Sequence, residues 1–179
     1  DEFISYQYAL REDGQLRAVA GVIPYKFHAG DYILNMTIVA NVATDKNHRK
    51  RNFMQSILTK AVQNMHSNKT DFSILIGFRE RYRFFGYEMA GIIPNYNFTN
   101  ANLRNMKRFV KLENYHFKLI ESSDTETILK CLELYNQQLT RCERSVQNFL
   151  LTLYALDKNA YAIYNDAGEF SGYLSASRS

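Results

Sequence analysis

Apolar and polar residues alternate along the first quarter of the chain, and this period of two predicts β-strands. Residues 3–13 form the first such run and end at Asp13-Gly14, a pair typical of hairpin turns. Residues 15–29 form a second run, and residues 31–44 form a third that is apolar enough for the centre of a sheet. We therefore predict three antiparallel strands joined by short turns.

A helical period follows these strands. Apolar residues recur at helical spacing, at Phe53, Met54, Ile57, Leu58, Ala61, Val62 and Met65. The run FSILIGF, residues 72–78, is almost wholly apolar and predicts a buried strand of the parallel type. Residues 79–88 predict a short helix that ends at Gly86, and residues 89–98 predict an extended segment.

The pattern starts again at Tyr115 and predicts the order strand, helix, helix, strand, strand. Ser123 and Glu126 have the spacing of a capping box before the first helix, and Ser145 precedes the second helix. The last two strands lie within residues 160–177, on either side of a turn.

The order of elements predicts two domains, residues 1–114 and residues 115–179. The second part contains the elements with which a domain of this kind begins. The first part contains the elements with which such a domain ends. The chain starts at Asp1 without a methionine and stops shortly after a strand, so we expect a fragment of a longer protein.

Composition indicates a folded protein that suits an anionic ligand. The 179 residues are 46% apolar and 22% charged, with a net charge of +4. Cys131 and Cys142 fall in a stretch predicted as helical and form no C-x-x-C pair, so we predict no metal site. No apolar run approaches the roughly 20 residues that span a bilayer. We expect a cytoplasmic protein without a membrane partner.

Three basic residues, Arg49, Lys50 and Arg51, stand between the third strand and the first helix. Positive charge at a helix N-terminus opposes the helix dipole unless an anion binds there, and phosphate is the usual ligand of free N–H groups at this position. A solvated basic turn is an equally good interpretation. A nucleic-acid patch is a third, weakened because the basic run is short and lacks interleaved aromatic residues.

The wider sequence resembles the GNAT superfamily of N-acetyltransferases. Its cofactor loop has the pattern Arg/Gln-x-x-Gly-x-Gly/Ala, and here Arg49, Asn52 and Met54 occupy the three defined positions. Asn tolerates positive φ better than most residues, whereas Met54 departs from the small residue of the pattern. The stretches VATDKNHR and ERYRFFGYEMAG are similar to the flanking strand end and to a signature after the fifth strand.

More narrowly, the chain resembles acetyltransferases of the enhanced-intracellular-survival type, which have tandem GNAT-like domains. The resemblance implies an α/β fold with a mixed, mainly antiparallel sheet and helices on both faces, followed by the start of a second GNAT-like domain. It also implies acetyl-CoA as co-substrate and no metal. Homo-oligomers occur in this narrower family, so the resemblance also allows a homo-oligomer here.

The resemblance assigns roles to two groups of cofactor-binding residues. The end of the central strand would hydrogen-bond the pantetheine arm, through Ala40, Asn41 and Val42. The loop and the first helical turn would wrap the pyrophosphate, through Arg49, Lys50, Arg51, Asn52, Phe53, Met54 and Gln55.

Tyr82 occupies the position of the tyrosine that protonates the departing thiolate. The base that deprotonates the amine is, in the narrower family, the C-terminal carboxylate of the full-length protein. Glu80 and Glu88 flank Tyr82 and are the fallback candidates.

The expected function is direct transfer of the acetyl group from acetyl-CoA to a primary amine of a small molecule or peptide. Two alternatives stay open. One is a catalytically silent protein that binds coenzyme A as a sensor or scaffold, and the other is a nucleic-acid-binding module that uses the basic residues.

Overall fold

The computed structural model describes residues 5–91, 99–106, 114–155 and 158–176. The strands, in chain order, are β1 Tyr6–Glu12, β2 Gln15–Ala29, β3 Tyr32–Thr44, β4 Phe72–Leu75, β5 His116–Leu119, β6 Thr140–Cys142, β7 Asn159–Tyr164 and β8 Phe170–Ala176. The helices are α1 Phe53–Ser67, α2 Arg79–Tyr82, α3 Asn100–Met106, α4 Thr125–Asn136 and α5 Val146–Leu153. The chain divides into two compact units: unit 1 is Asp1–Ala90 with Leu139–Glu143, and unit 2 is Gly91–Gln138 with Arg144–Ser179.

Unit 1 contains a five-stranded mixed sheet. Strands β1, β2 and β3 pair antiparallel in sequence order, as predicted. Strand β4 lies parallel to β3, and β6 adds antiparallel to the far end of β2. The short β4 needs a crossover to run parallel to β3, and α1 supplies it.

Helix α1 packs its apolar stripe on one face of this sheet. Leu58 and Ala61 are fully buried against small residues of β2, which let the helix approach closely. Burying a leucine side chain of this kind contributes about 1.5–3 kcal/mol. The predicted helix and its apolar positions are confirmed, because Ile57 and Met65 are also buried on this face.

A β-bulge interrupts the pairing of β3 with β2. Gly21 pairs with Ala40, but Val19 pairs with Ala43, so two residues of β3 stand opposite the single residue Ala20. Asn41 lies in the bulge with φ 54°. The bulge bends β3 just beyond Val39, the last residue that pairs with β4.

Unit 2 contains a three-stranded antiparallel sheet in the order β5, β7, β8. Its core is formed by α4, α5 and β7, with Ile128, Phe149 and Ala160 almost completely buried. The Tyr154 hydroxyl donates to the Ile120 carbonyl at 2.7 Å, at the end of β5. The predicted order of strand, helix, helix, strand and strand is present, with one short strand added between the helices.

Two predictions for the second part of the chain are wrong. Asp124, and not Ser123, is the N-cap of α4, because its carboxylate accepts from the Thr127 N–H at 3.2 Å. Cys142 does not lie in a helix: it belongs to β6, where it pairs with Phe27 of β2. The following helix begins only after Ser145, whose hydroxyl accepts from the Asn148 N–H, as predicted.

A third prediction is wrong in part. The strand predicted at residues 72–78 ends at Leu75, and Ile74 and Ile76 are 45% and 93% exposed. Only the side of β4 that carries Leu75 packs on α1. An apolar run therefore does not show that both faces of a strand are covered. The extended segment predicted at residues 89–98 lies largely outside the described residues.

Candidate functional site

The basic loop, residues 45–52, connects β3 to α1 with an unusual backbone. Lys50 and Asn52 both have left-handed conformations, with φ 63° and φ 59°. Asn52 is the N-cap of α1, but its side chain makes no capping hydrogen bond. The first N–H groups of α1 therefore depend on other partners.

An open cavity of about 850 Å³ lies over this loop. Eight of the predicted cofactor-binding residues line it: Val42, Arg49, Lys50, Arg51, Asn52, Phe53, Met54 and Gln55. The structure therefore brings these eight together around one space, which we call the loop cavity. Seven further residues that are not among the predicted cofactor-binding residues also line it: Ala43, Thr44, His48, Thr59, Arg81, Phe84 and Phe85.

The remaining predicted cofactor residues lie beside the loop cavity. Ala40 pairs with Gly21 just before the bulge of β3, beyond the point where β4 stops pairing, and Asn41 lies in the bulge. Val42, the second residue of the bulge, lines the cavity. The bulge and the cavity thus adjoin along β3 at Val42.

The cations of the loop differ in whether an acidic side chain pairs with them. The Arg51 guanidinium binds the Glu12 carboxylate in a bidentate pair, with N–O distances of 2.7 and 2.6 Å. It also lies 4.9 Å from the centre of the Phe53 ring. Among the described residues, Arg49 and Lys50, which both line the cavity, make no ion pair, so their charges are not compensated by an acidic side chain.

A second set of polar contacts holds the start of the loop. The Asp45 carboxylate lies 3.1 Å from Arg17 Nη1 and 2.8 Å from His48 Nδ1. It also accepts from the Asn47 N–H at 3.0 Å. These contacts, the Asn47 hydrogen bond foremost, lower the pKa of Asp45, so the carboxylate is charged at neutral pH. This arrangement could not be read from the sequence, because Arg17 and Asp45 are 28 positions apart.

Tyr82 is buried in the core of unit 1 and does not line the loop cavity. Only 7% of its surface is exposed, and its ring meets Tyr87 edge to face at 6.5 Å between centroids. A side chain at Gly77 would come within 2.5 Å of the Tyr82 ring, so glycine is required there by close approach. The structure thus places Tyr82 at the end of α2, the helix that follows β4, with its ring packed closely against Gly77.

The two fallback bases differ in their surroundings. Glu88 is bound by Arg79, with an N–O distance of 2.6 Å, and this partner lowers the pKa of Glu88 and raises that of Arg79. A carboxylate stabilised as an anion is a weak base. Glu80 lies in the first turn of α2 and is exposed.

The described residues contain neither a cluster of metal ligands nor a membrane-spanning helix. Within residues 5–91, 99–106, 114–155 and 158–176, no group of three or more His, Cys, Asp or Glu side chains could hold a metal ion. Burial raises the pKa of the Cys131 thiol to about 11, which makes it a poor ligand and nucleophile. No helix in the described part of the chain is long and apolar enough to cross a bilayer.

Residues 6–90 match the family model of the acetyltransferase (GNAT) domain. The match covers β1 to β4, the basic loop, α1 and Tyr82. The resemblance to GNAT acetyltransferases is thereby confirmed for this part of the chain. No curated protein matches the sequence.

Solved structures agree with this result. A conserved protein of unknown function from Enterococcus faecalis V583, described as a probable N-acyltransferase, has a TM-score of 0.71 at 17% identity. The likeness covers 98% of this chain but only 45% of that one. It confirms the predicted fold class, a mixed, mainly antiparallel α/β fold of GNAT type.

Two shorter similarities cover about half of this chain. An acetyltransferase from Clostridium acetobutylicum, solved with acetyl-CoA, has a TM-score of 0.46 at 15% identity over 52% of this chain and 64% of its own. Glucosamine-6-phosphate N-acetyltransferase from Arabidopsis thaliana has a TM-score of 0.45 at 16% identity over 53% and 67%. The narrower resemblance to the enhanced-intracellular-survival type is not supported by these comparisons and stays a prediction.

Proposed function

We propose that unit 1 binds acetyl-CoA in the loop cavity and transfers its acetyl group to a primary amine. One observation carries the proposal: the loop with left-handed Lys50 and Asn52 opens onto a cavity at the start of α1. Free N–H groups and unpaired cations at a helix N-terminus suit a pyrophosphate. The match of residues 6–90 to the acetyltransferase domain supports this interpretation.

The bulge of β3 is the proposed site of the pantetheine arm. An extended arm that carries amide groups can add to a strand as a further strand would. Ala40, Asn41 and Val42 follow the last residue of β3 that pairs with β4, and Val42 leads into the loop cavity. Pyrophosphate at the loop and thioester at the bulge are consistent with one continuous ligand.

The proposed chemistry is a direct displacement. The neutral amine nitrogen attacks the thioester carbon, the carbon–sulfur bond breaks, and the sulfur leaves as a thiolate. Tyr82 is the proposed acid: a thiol with a pKa near 8.5 and a phenol with a pKa near 10 can share a proton when the thiolate forms nearby. The amine loses its proton to a base.

The wider organisation is also proposed. The amine belongs to a small molecule or peptide, and residues 115–179 begin a second GNAT-like domain after a first that ends at residue 114. The likeness to the Enterococcus protein covers both units, which supports this plan. Residues 139–143 belong to unit 1, although the chain on both sides of them belongs to unit 2. A single boundary in the sequence therefore does not divide the two units.

The test of cofactor binding is calorimetric titration with acetyl-CoA. The variant Arg49→Ala/Lys50→Ala removes two cations that line the loop cavity and make no ion pair among the described residues, and we expect its affinity to fall about 10-fold or more. The control Lys118→Ala/Lys130→Ala removes the same charge from unit 2 and should bind normally. Undetectable binding by the unaltered protein would contradict the proposal.

A catalytically silent acyl-CoA-binding protein is the second candidate. It is favoured by Met54, which lines the cavity where the motif of the family has a small residue. Turnover of acetyl-CoA with a reactive amine by the unaltered protein distinguishes the two candidates, and the variant Tyr82→Phe, which keeps the ring and removes the hydroxyl, tests Tyr82 as the acid. We expect turnover with a reactive amine to fall 10²-fold or more while acetyl-CoA affinity changes less than 3-fold. Equal turnover in both proteins would remove Tyr82 from the mechanism.

A further inference from the structure

A row of alternating charges joins the β1–β2 hairpin to the basic loop. Arg51 binds Glu12, whose carboxylate lies 3.9 Å from Arg17 Nε, and Arg17 in turn binds Asp45. His48 completes the row at 2.8 Å from Asp45. We call these five residues the ionic row. Its two cations and two anions cancel before His48 is counted.

We propose that Glu12 is a positioning residue for the cofactor, acting through Arg51. The role rests on the proposed binding of acetyl-CoA by the loop cavity. Glu12 ends β1, which pairs with β2 along its length, and its bidentate contact holds Arg51 between the left-handed residues Lys50 and Asn52. The backbone N–H groups of this stretch are thereby held in place before the phosphate arrives.

The loop needs such an anchor because its backbone is unfavourable by itself. Left-handed φ brings the Cβ atom of an L-residue too close to the following carbonyl, and Lys50 has no side-chain feature that relieves this contact. Bidentate arginine–carboxylate pairs fix direction as well as distance. Arg17 also supports Glu12, because its Nε lies 3.9 Å from the Glu12 carboxylate. The Arg17 side chain is only 11% exposed.

An opposing interpretation makes Arg51 a direct phosphate ligand. Glu12 would then compete with the phosphate for the guanidinium, and removing Glu12 would free a cation for binding. The two interpretations predict opposite signs for one substitution: Glu12→Gln weakens acetyl-CoA binding if Glu12 is an anchor and strengthens it if Glu12 is a competitor.

The first experiment is a double-mutant cycle measured by calorimetry with acetyl-CoA. We expect Glu12→Gln and Arg51→Gln each to raise Kd about 3- to 10-fold, as for a partly exposed pair in a network. The double variant should bind no more weakly than either single variant, since all three break the same link. Glu126→Gln, which breaks the exposed Lys130 pair of unit 2, is the matched control and should leave Kd unchanged.

The second experiment measures the loop without a ligand. Trypsin cleaves after basic residues, and the loop offers three consecutive sites at Arg49, Lys50 and Arg51. We expect several-fold faster cleavage there in Glu12→Gln than in the unaltered protein, with the same thermal midpoint of unfolding. Where an amine acceptor is found, Glu12→Gln should raise KM for acetyl-CoA and leave kcat unchanged.

The outcomes separate the two proposals. Tighter or equal binding by Glu12→Gln, or a far larger loss in Arg51→Gln than in Glu12→Gln, overturns the positioning role. Unchanged cleavage of the loop in Glu12→Gln overturns it as well, whether or not acetyl-CoA binds. If the unaltered protein does not bind acetyl-CoA, the proposed function fails, and the cleavage rates alone decide whether Glu12 anchors the loop.

Discussion

Arg49, Lys50 and Arg51 are neighbours in the basic loop and carry the same charge, but they have different structural roles. Arg51 turns back to Glu12 and helps to fix the loop, whereas Arg49 and Lys50 have no acidic partner in the described part of the chain. Asn52 contributes through its backbone, since its side chain makes no capping bond and its φ is 59°. At this scale, backbone conformation and pairing decide the role of a residue more than its type does.

Two substitutions at Asn52 test whether the left-handed backbone of this residue, and not its side chain, determines its effect on stability. We expect Asn52→Ala to lower the free energy of unfolding by about 1 kcal/mol, because alanine tolerates left-handed φ poorly. Asn52→Gly should change it by less than about 0.5 kcal/mol, since glycine adopts this conformation freely. Urea denaturation followed by circular dichroism measures both.

The control for this pair is Asn68→Ala, at the other end of α1. Asn68 has an ordinary φ of −87°, so the same loss of a side-chain amide should have little effect there. An Asn52→Gly variant as unstable as Asn52→Ala would mean that the side chain, and not the backbone, stabilises the loop.

At the residue scale, the sequence predicted residues that share one cavity but not the contacts that support the loop. The basic run, the strand before it and the helical stripe after it are local patterns, and they located seven of the cavity residues between Arg49 and Gln55. Asn52 was expected to replace a glycine, and its positive φ agrees with this. Glu12 was missed because 39 positions separate it from Arg51, and no local pattern carries such a contact.

At the scale of secondary-structure elements, local sequence patterns locate regular strands and helices but not the features that depend on pairing between strands. The apolar period of α1 and the alternation of β1 to β3 were sufficient to locate these elements. The bulge at Asn41 was not foreseen, because an extra residue in a strand becomes visible only when the partner strand is known. Strand β6 was missed for the same reason: three residues carry little pattern, and pairing with β2 makes them a strand.

The N-cap of α4 makes stability depend on pH. The pKa of Asp124 is lowered, first by the hydrogen bond from Lys118 and next by the Thr127 N–H. A lowered pKa means that the carboxylate stabilises the folded state at pH above its ordinary value of 3.8. This contribution is lost as the pH falls through the lowered pKa.

The variant Asp124→Asn isolates this effect, since asparagine also caps helices well but cannot be charged. We expect the unaltered protein to be the more stable of the two at pH 7, and the difference in unfolding free energy to shrink below about pH 4. Chemical denaturation at both pH values measures it. A difference that is constant with pH would mean that the charge of Asp124 contributes nothing.

For the molecule as a whole, the fold class could be predicted, and the domain boundary after residue 114 stays a prediction. The order of strands and helices, together with the loop motif, pointed to the GNAT fold that the structural comparison confirms. The prediction placed a boundary after residue 114, whereas the observed units share the chain in four pieces. Element order follows from the sequence itself, but assignment of a strand to a sheet depends on pairing between distant segments.

The bulge at Asn41 has a consequence for how this protein tolerates changes of length. Before the bulge, odd-numbered residues of β3 such as Val39 face α1, and after it Thr44 pairs with Ala18 on that same face. The inserted residue therefore absorbs one step of the alternation. A chain lacking Asn41 keeps every later side chain on its present face and loses only the bend. One deletion is thus expected to straighten the proposed pantetheine site while sparing the core, so a change of one codon separates the role of the bulge in binding from its role in folding.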